Sequence, residues 1–250
     1  MEPPSDHPLT HDERQGLAPP WLYALAFAAL AAAGWLFGAM AEAARHAIPG
    51  DLDTRIPAWV QAHAGERPRL TRLFRAVTTI GDYPISLILV LLVAGALMAL
   101  HRAKIGGVRR ADPLLWLAVT GTGWLLNGTL KLQFRRPRPP DLHRLIEVDG
   151  FSFPSGHAAF AGVAFAMLAI LIARRTPRRP AWVRVAGVLL CLVLAVLIAA
   201  SRVWLHAHYP TDVIGGLLLG SGWALAAWLV RSGWARWRLH RARTPRLSKT

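Results

Sequence analysis

Apolar positions along this chain do not alternate with polar ones; they gather into long uninterrupted runs separated by short, strongly basic breaks. Runs of about 18 residues with almost no charge are long enough to cross a hydrocarbon core of about 30 Å as α-helices. Six runs come close to that description: Pro20 to Ala44, Pro84 to Leu100, Pro113 to Leu130, Gly156 to Ala173, Val185 to Ala200 and Val213 to Val230. Several are bounded by proline or by charge, which sharpens their ends. A lipid-facing barrel strand would alternate apolar with polar residues, and these runs do not. The pattern therefore predicts an all-α polytopic membrane protein with six transmembrane helices.

Between the first and second runs the pattern changes. Arg45 to Tyr83 carries six arginines and four acids among apolar residues that include Trp59, Val60, Leu70, Leu73, Phe74 and Val77. That mixture predicts one or two amphipathic helices at the membrane interface rather than a simple solvated loop. No internal repeat stands out.

Composition agrees with the pattern. Of 250 residues, 54% are hydrophobic and only 17% charged, with a mean hydropathy of +0.33, too apolar for an ordinary soluble domain. A formal charge of +15 would point to nucleic acid on a soluble fold, but here the cations lie between apolar runs and set topology instead. No nucleic-acid partner is expected. The single cysteine, Cys191, lies inside an apolar run, where it can form no intrachain disulfide and reads as packing.

Lysine and arginine near span ends mark the cytoplasmic side. Arg102, Lys104, Arg109 and Arg110 lie between spans two and three, and Arg174, Arg175, Arg178, Arg179 and Arg184 between spans four and five. After span six come Arg231, Arg236, Arg238, Arg241, Arg243, Arg246 and Lys249. In a six-span arrangement all three groups share one side, so both termini are expected in the cytoplasm. The acidic N-terminal tail adds only Arg14, and acids weigh little in this rule. The expected organisation is a cytoplasmic N-terminal tail over residues 1–19, a membrane domain over 20–232 and a basic cytoplasmic tail over 233–250. Ala39-Met40-Ala41 resembles a signal-peptide cleavage site, but the run before it is longer than a usual signal core and its leading segment is poorly basic. It is expected to be a retained helix.

Two basic features break the charge rule by falling in loops expected outside. Lys131 to Arg144, beginning Lys131-Leu-Gln-Phe-Arg-Arg-Pro-Arg138-Pro139, follows span three, and Arg202 lies in the loop after span five. For the first cluster, snorkelling at the interface is the plain alternative to a functional role. Phe153-Pro154-Ser155-Gly156-His157 precedes span four, with Ser155 as an N-cap and Gly156 allowing close approach, so free N–H groups and the positive helix end would face an anion. The plain alternative is a capped helix start. In Ser201-Arg202-Val-Trp-Leu-His206-Ala-His208-Tyr-Pro-Thr-Asp212, His208 and Asp212 are four apart, so the carboxylate can reach Nδ1–H and leave Nε2 aimed at an electrophile. His206 is six residues from Asp212 and reads as a neighbour. Six spans would place all three elements on the same face of the membrane.

Together they resemble the three-part signature of the type 2 phosphatidic-acid phosphatase family: K-x6-R-P, P-S-G-H and S-R-x5-H-x3-D. The pattern is met without a gap by Lys131, Arg138 and Pro139, by Pro154 to His157, and by Ser201, Arg202, His208 and Asp212. The resemblance implies a membrane lipid phosphatase in which His208 is the nucleophile, Asp212 orients it, and His157 is general acid and then base. It implies that Lys131, Arg138 and Arg202, with the N–H groups of Ser155 and Gly156, hold the phosphate oxygens. Three cations at one phosphate would replace the metal ions of other phosphatases, so no metal and no cofactor is expected. Substrates implied by the family are membrane lipids: polyprenyl diphosphates such as undecaprenyl diphosphate, phosphatidylglycerol phosphate and phosphatidic acid.

The rival classes are a lipid phosphotransferase using the same histidine, a vanadium-dependent haloperoxidase and a non-enzymatic lipid transporter or scaffold. Haloperoxidases of that kind are soluble, and a transporter would carry polar groups deeper in its spans than Asn127 and Thr129. The expected location is the inner cell membrane, with the site on its extracytoplasmic face.

Overall fold

A computed structural model describes residues 19–45, 50–140, 144–175 and 179–241. Residues 1–18 and 242–250, with Arg14, Arg243, Arg246 and Lys249, and the loop position Arg178 lie outside the described residues. Among the described residues the secondary structure is entirely helical: α1 Pro20–Arg45, α2 Asp51–Ala64, α3 Pro68–Thr78, α4 Tyr83–Arg102, α5 Ala111–Phe134, α6 Gly156–Arg175, α7 Ala181–Trp204 and α8 Pro210–Arg241. A 3₁₀ turn, Thr79–Gly81, joins α3 to α4. The expected division at 232/233 falls inside α8, which runs on without a break.

Among the described residues five helices, α1, α4, α6, α7 and α8, are long and apolar enough to cross a membrane. The third expected span, Pro113 to Leu130, forms as part of the 24-residue α5, but polar side chains make that helix less apolar than the others. At 1.5 Å per residue it is about 36 Å long, so length is no obstacle to crossing. Its hydroxyls are satisfied inside the helix: Thr120 donates to the Trp116 carbonyl at 2.8 Å, Thr122 to Ala118 at 2.6 Å and Thr129 to Leu125 at 2.9 Å. Such internal bonding is what a polar residue needs in a non-aqueous setting.

The core centres on α6, which packs against α8 most extensively and also against α5 and α7. Small residues make this possible. Any side chain at Gly220 would collide with the Ala159 carbonyl, so the backbones of α6 and α8 meet at a spacing only glycine permits. Trp116, Val119, Phe160, Val163 and Met167 fill the layer between α4, α5 and α6. Two of the lipid-length helices, α4 and α7, keep large apolar side chains such as Ile88, Leu92, Leu189 and Val193 on the outside.

The segment between α1 and α4 forms two helices. On α2 the inward positions are Asp53, Pro57, Val60 and Ala64, a helical spacing that places an acid on the packed face. On α3, Leu70 and Phe74 join Val60, Trp204 and Leu205 in a cluster against the end of α7. This contact draws the segment over the end of the bundle where α5 and α7 finish and α6 and α8 begin.

Candidate functional site

The third motif occupies a turn whose backbone folds back on itself. Leu205 N–H donates to the Ser201 carbonyl at 2.9 Å, and the N–H groups of Ala207 and His208 both return to Arg202 at 3.0 and 3.2 Å. His206, at φ 55°, takes the left-handed conformation that reverses the chain. Its imidazole is buried beside the motif, while His208 and Asp212 project together from the start of α8. His208 is 2% exposed and Asp212 fully buried.

Nδ1 of His208 is 3.4 Å from Oδ2 of Asp212, a long contact. Ser152 stands beside this pair, its hydroxyl donating to Oδ2 in a short hydrogen bond and lying 3.5 Å from Nδ1. The Tyr209 N–H also donates to Oδ2, at 2.9 Å. On the other side of the ring, Nη1 of Arg138 donates to Nε2 at 3.1 Å. A guanidinium can only donate, so Nε2 is the lone-paired nitrogen and Nδ1 carries the proton. Arg138 is held in that position by the carbonyls of Ala207 (2.8 Å), Gly150 (2.9 Å) and Asp149 (2.7 Å).

The other expected cations converge on the same end of the bundle. Lys131, on the last turn of α5, donates to the Phe151 carbonyl at 2.6 Å, and its Cε lies 3.8 Å from where a side chain on Gly156 would start. Arg202, 3% exposed, donates from Nη1 to the Thr78 hydroxyl at 2.6 Å. The Nε of Arg202 and the Ser155 hydroxyl are buried without a partner among the described residues. Each is a donor that an anion could satisfy.

Ser155 occupies the N-cap position of α6, but its hydroxyl caps nothing. Its N–H is taken by the Asp212 carbonyl at 2.9 Å, which ties the start of α6 to the start of α8. Of the expected pair of backbone N–H donors, that of Ser155 is thereby engaged within the protein. His157, one residue on, places Nε2 2.9 Å from Oδ1 of Asp82. Gly81 makes this approach possible, because a Cβ there would lie 2.5 Å from the imidazole Cδ2.

Several partners in this site lie outside the motifs. Asp82 and Thr78 come from the α3–α4 junction, Asp53 from α2, and Ser152 from the loop before α6. Arg136 donates from Nη1 to Asp212 Oδ1 at 2.6 Å and to the Thr211 hydroxyl at 2.8 Å, and from Nη2 to Asp53 Oδ2 at 2.7 Å. It belongs to the basic cluster after span three, but no spacing in the sequence separates it from Arg135, whose Nε bonds only its own helix end through Leu132 at 3.1 Å. Among the described residues no group of three or more His, Cys, Asp or Glu is arranged to hold a metal ion.

Burial is the first cause that pushes the His208 imidazole down to about 3; the Asp212 carboxylate opposes it, and Arg138 and Lys131 reinforce it. Arg136 moves the other way: its two carboxylates overcome the cost of burial and raise it above the ordinary arginine value. The site therefore presents a neutral, lone-paired imidazole beside the cations Arg138 and Lys131.

Comparison with known proteins follows the same residues. The PAP2 superfamily profile matches residues 113–237, which contain all three motifs. Phosphatidylglycerophosphatase B of Bacillus subtilis is 35% identical over 159 residues, 62% of this chain and 71% of that one. The undecaprenyl-diphosphatase BcrC of the same organism is 30% identical over 51% of this chain and 63% of its own length. Decaprenylphosphoryl-5-phosphoribose phosphatase of Mycobacterium tuberculosis is 32% identical over 65% and 81%. The crystal structure of a transmembrane PAP2-type phosphatidylglycerolphosphate phosphatase from Bacillus subtilis superposes with a TM-score of 0.70 at 27% identity, covering 82% of this chain and 96% of that one.

Proposed function

This chain belongs to the PAP2 superfamily and is a membrane lipid phosphatase, and on that basis we propose that it passes the phosphoryl group of a membrane lipid first to His208 and then to water. The observation that carries this reading is the two-sided setting of one buried imidazole. Nδ1 faces a carboxylate at 3.4 Å and Nε2 faces a guanidinium at 3.1 Å. The cation that would bind the phosphate thus sits against the nitrogen that would attack it.

In the first step the Nε2 lone pair attacks phosphorus, the bond from phosphorus to the lipid oxygen breaks, and His157 gives that oxygen a proton. The new imidazolium-like charge faces Asp212. In the second step His157 takes a proton from water, the water oxygen attacks phosphorus, and the P–N bond breaks to return the lone pair to His208. Arg138, Lys131 and Arg202, with the Ser155 hydroxyl and Gly156 N–H, meet the charge on the equatorial oxygens. These contacts neutralise the phosphate without a metal.

Six spans fit this chemistry. With α5 as the third, the site lies at the extracytoplasmic face of the inner membrane and both termini lie in the cytoplasm, in keeping with the arginines at and beyond the C-terminal ends of α4, α6 and α8. The α2–α3 pair would lie at the interface, since Leu52, Ile56, Trp59 and Leu73 remain exposed among arginines. A lipid could then keep its tail in the bilayer and offer its phosphate at headgroup depth. Phosphatidylglycerol phosphate and polyprenyl diphosphates are the leading candidates, because relatives of this chain are named for such substrates.

The reading is tested by phosphate release from the purified protein on phosphatidylglycerol phosphate, undecaprenyl diphosphate, phosphatidic acid and a soluble phosphate ester. Release from the lipids that disappears in His208→Ala is the expected result. No release from any of them, with transfer to an added lipid alcohol, would replace hydrolysis by phosphotransfer.

A further inference from the structure

Asp53 lies on α2, far from the three motifs in sequence, yet its buried carboxylate is met by three donors. The Thr211 N–H reaches Oδ1 at 3.0 Å, the Thr211 hydroxyl reaches Oδ2 at 2.6 Å, and Arg136 Nη2 reaches Oδ2 at 2.7 Å. The Thr211 N–H is one of the unpaired donors in the first turn of α8, so Asp53 caps from a distance the helix that carries Asp212. Arg136 in turn lies over the Tyr209 ring, 4.3 Å from its centroid, and has little room to swing away.

We propose that Asp53 and Arg136 are positioning residues for phosphoryl transfer: the Arg136 guanidinium, shared between Asp53 and Asp212, fixes the Asp212 carboxylate towards His208, and Asp53 keeps that guanidinium from cancelling the charge of Asp212. The inference rests on the reading of His208 as nucleophile. Arg136 holds Oδ1 of Asp212 at 2.6 Å, which leaves Oδ2 turned to Ser152, Tyr209 N–H and Nδ1 of His208. Paired with Asp212 alone, a buried guanidinium would neutralise it. Shared with Asp53, the two carboxylates and one guanidinium keep a net negative charge beside an imidazole that becomes cationic as the N–P bond forms. A buried ion pair can also serve stability alone, so the two roles must be separated by experiment.

The separating experiment measures kcat, KM and melting temperature for full-length wild type, Asp53→Asn, the double variant Asp53→Asn/Arg136→Gln, and His208→Ala, on the lipid that turns over fastest. Asp53→Asn is expected to lower kcat by about 10- to 100-fold with KM unchanged, the usual loss when a group that orients a site residue is removed. The double variant is expected to exceed Asp53→Asn in kcat, because the glutamine amide can still donate a hydrogen bond to Asp212 while the cation that neutralises the carboxylate is gone. A double variant no faster than Asp53→Asn, or kcat losses that follow melting temperature alone, would overturn the proposal. If Asp53→Asn does not fold, Thr211→Val asks the same question without changing charge. Loss of that hydroxyl bridge should cost roughly fivefold in kcat, and an unchanged kcat would overturn the proposal. Activity surviving in His208→Ala would instead overturn the nucleophile assignment, so the two failures are distinct.

Discussion

Nη1 of Arg138 lies 3.1 Å from Nε2 of His208, donating into the lone pair that the chemistry requires. An anion bound by Arg138 would take over its donors and release that lone pair towards phosphorus. On the proposed reading Arg138 has two tasks, binding the phosphate and holding the imidazole in the tautomer that leaves Nε2 lone-paired. Replacement by alanine is expected to lower kcat/KM by about 10²- to 10³-fold, as for loss of one preorganised donor, and to weaken inhibition by vanadate. A variant with normal vanadate affinity would remove Arg138 from the anion site.

His157 and Asp82 make a prediction that depends on the leaving group. With Nε2 of His157 on Asp82 at 2.9 Å, Asp82 sets the orientation of the proposed general acid. Asp82→Asn and His157→Ala should slow lipid substrates strongly, by about 10²-fold or more for the histidine. Both should slow an aryl phosphate with an acidic phenol far less, because such a leaving group departs without a proton. Equal losses on both substrates, compared by kcat/KM so that only the first transfer is read, would take His157 out of the acid role.

The low position of His208 gives a pH signature. An ordinary histidine loses its lone pair below about pH 6.5, but burial first, with Arg138 and Lys131 reinforcing it, keeps this one neutral down to about 3. The nucleophile should thus remain available at pH 5. After correction for ionisation of the substrate phosphate, kcat/KM should show no acid limb near 6.5 that belongs to His208. The same depression destabilises the fold in acid, since the unfolded histidine gains a proton as pH falls below about 6.5 while the folded one does not. A His208-dependent limb near 6.5 in the corrected profile would contradict this placement.

Much of the fold was legible because lipid-length apolar runs have few alternatives, and the helices α1, α4, α6, α7 and α8 lie where those runs predict. The third run was the harder case: Thr120, Thr122 and Thr129 lower its apolarity, and their bonds back to the helix become visible only in three dimensions. The family was legible from the three motifs, and the profile match over residues 113–237 bears that out. What stayed hidden were long-range partners. Arg136 was one cation among several in a cluster, and Asp82 was one of four acids in the Arg45 to Tyr83 segment. Asp53 did leave a trace, an acid at the inward spacing shared by Pro57, Val60 and Ala64. An acid on an inward face calls for a buried cation, but sequence does not say which. Ser155 shows the opposite error, a residue with capping chemistry whose hydroxyl caps nothing, while its N–H is taken by the Asp212 carbonyl.

The most direct measurement is rapid quenching of the purified enzyme with a lipid carrying a radiolabelled phosphate, in EDTA, followed by analysis of the protein under alkaline conditions that preserve phosphohistidine. Wild type should carry label at His208 that is lost in acid, and His208→Ala should carry none and release no phosphate. Label in His208→Ala, or turnover abolished by EDTA and restored by magnesium, would contradict a metal-independent transfer through this histidine.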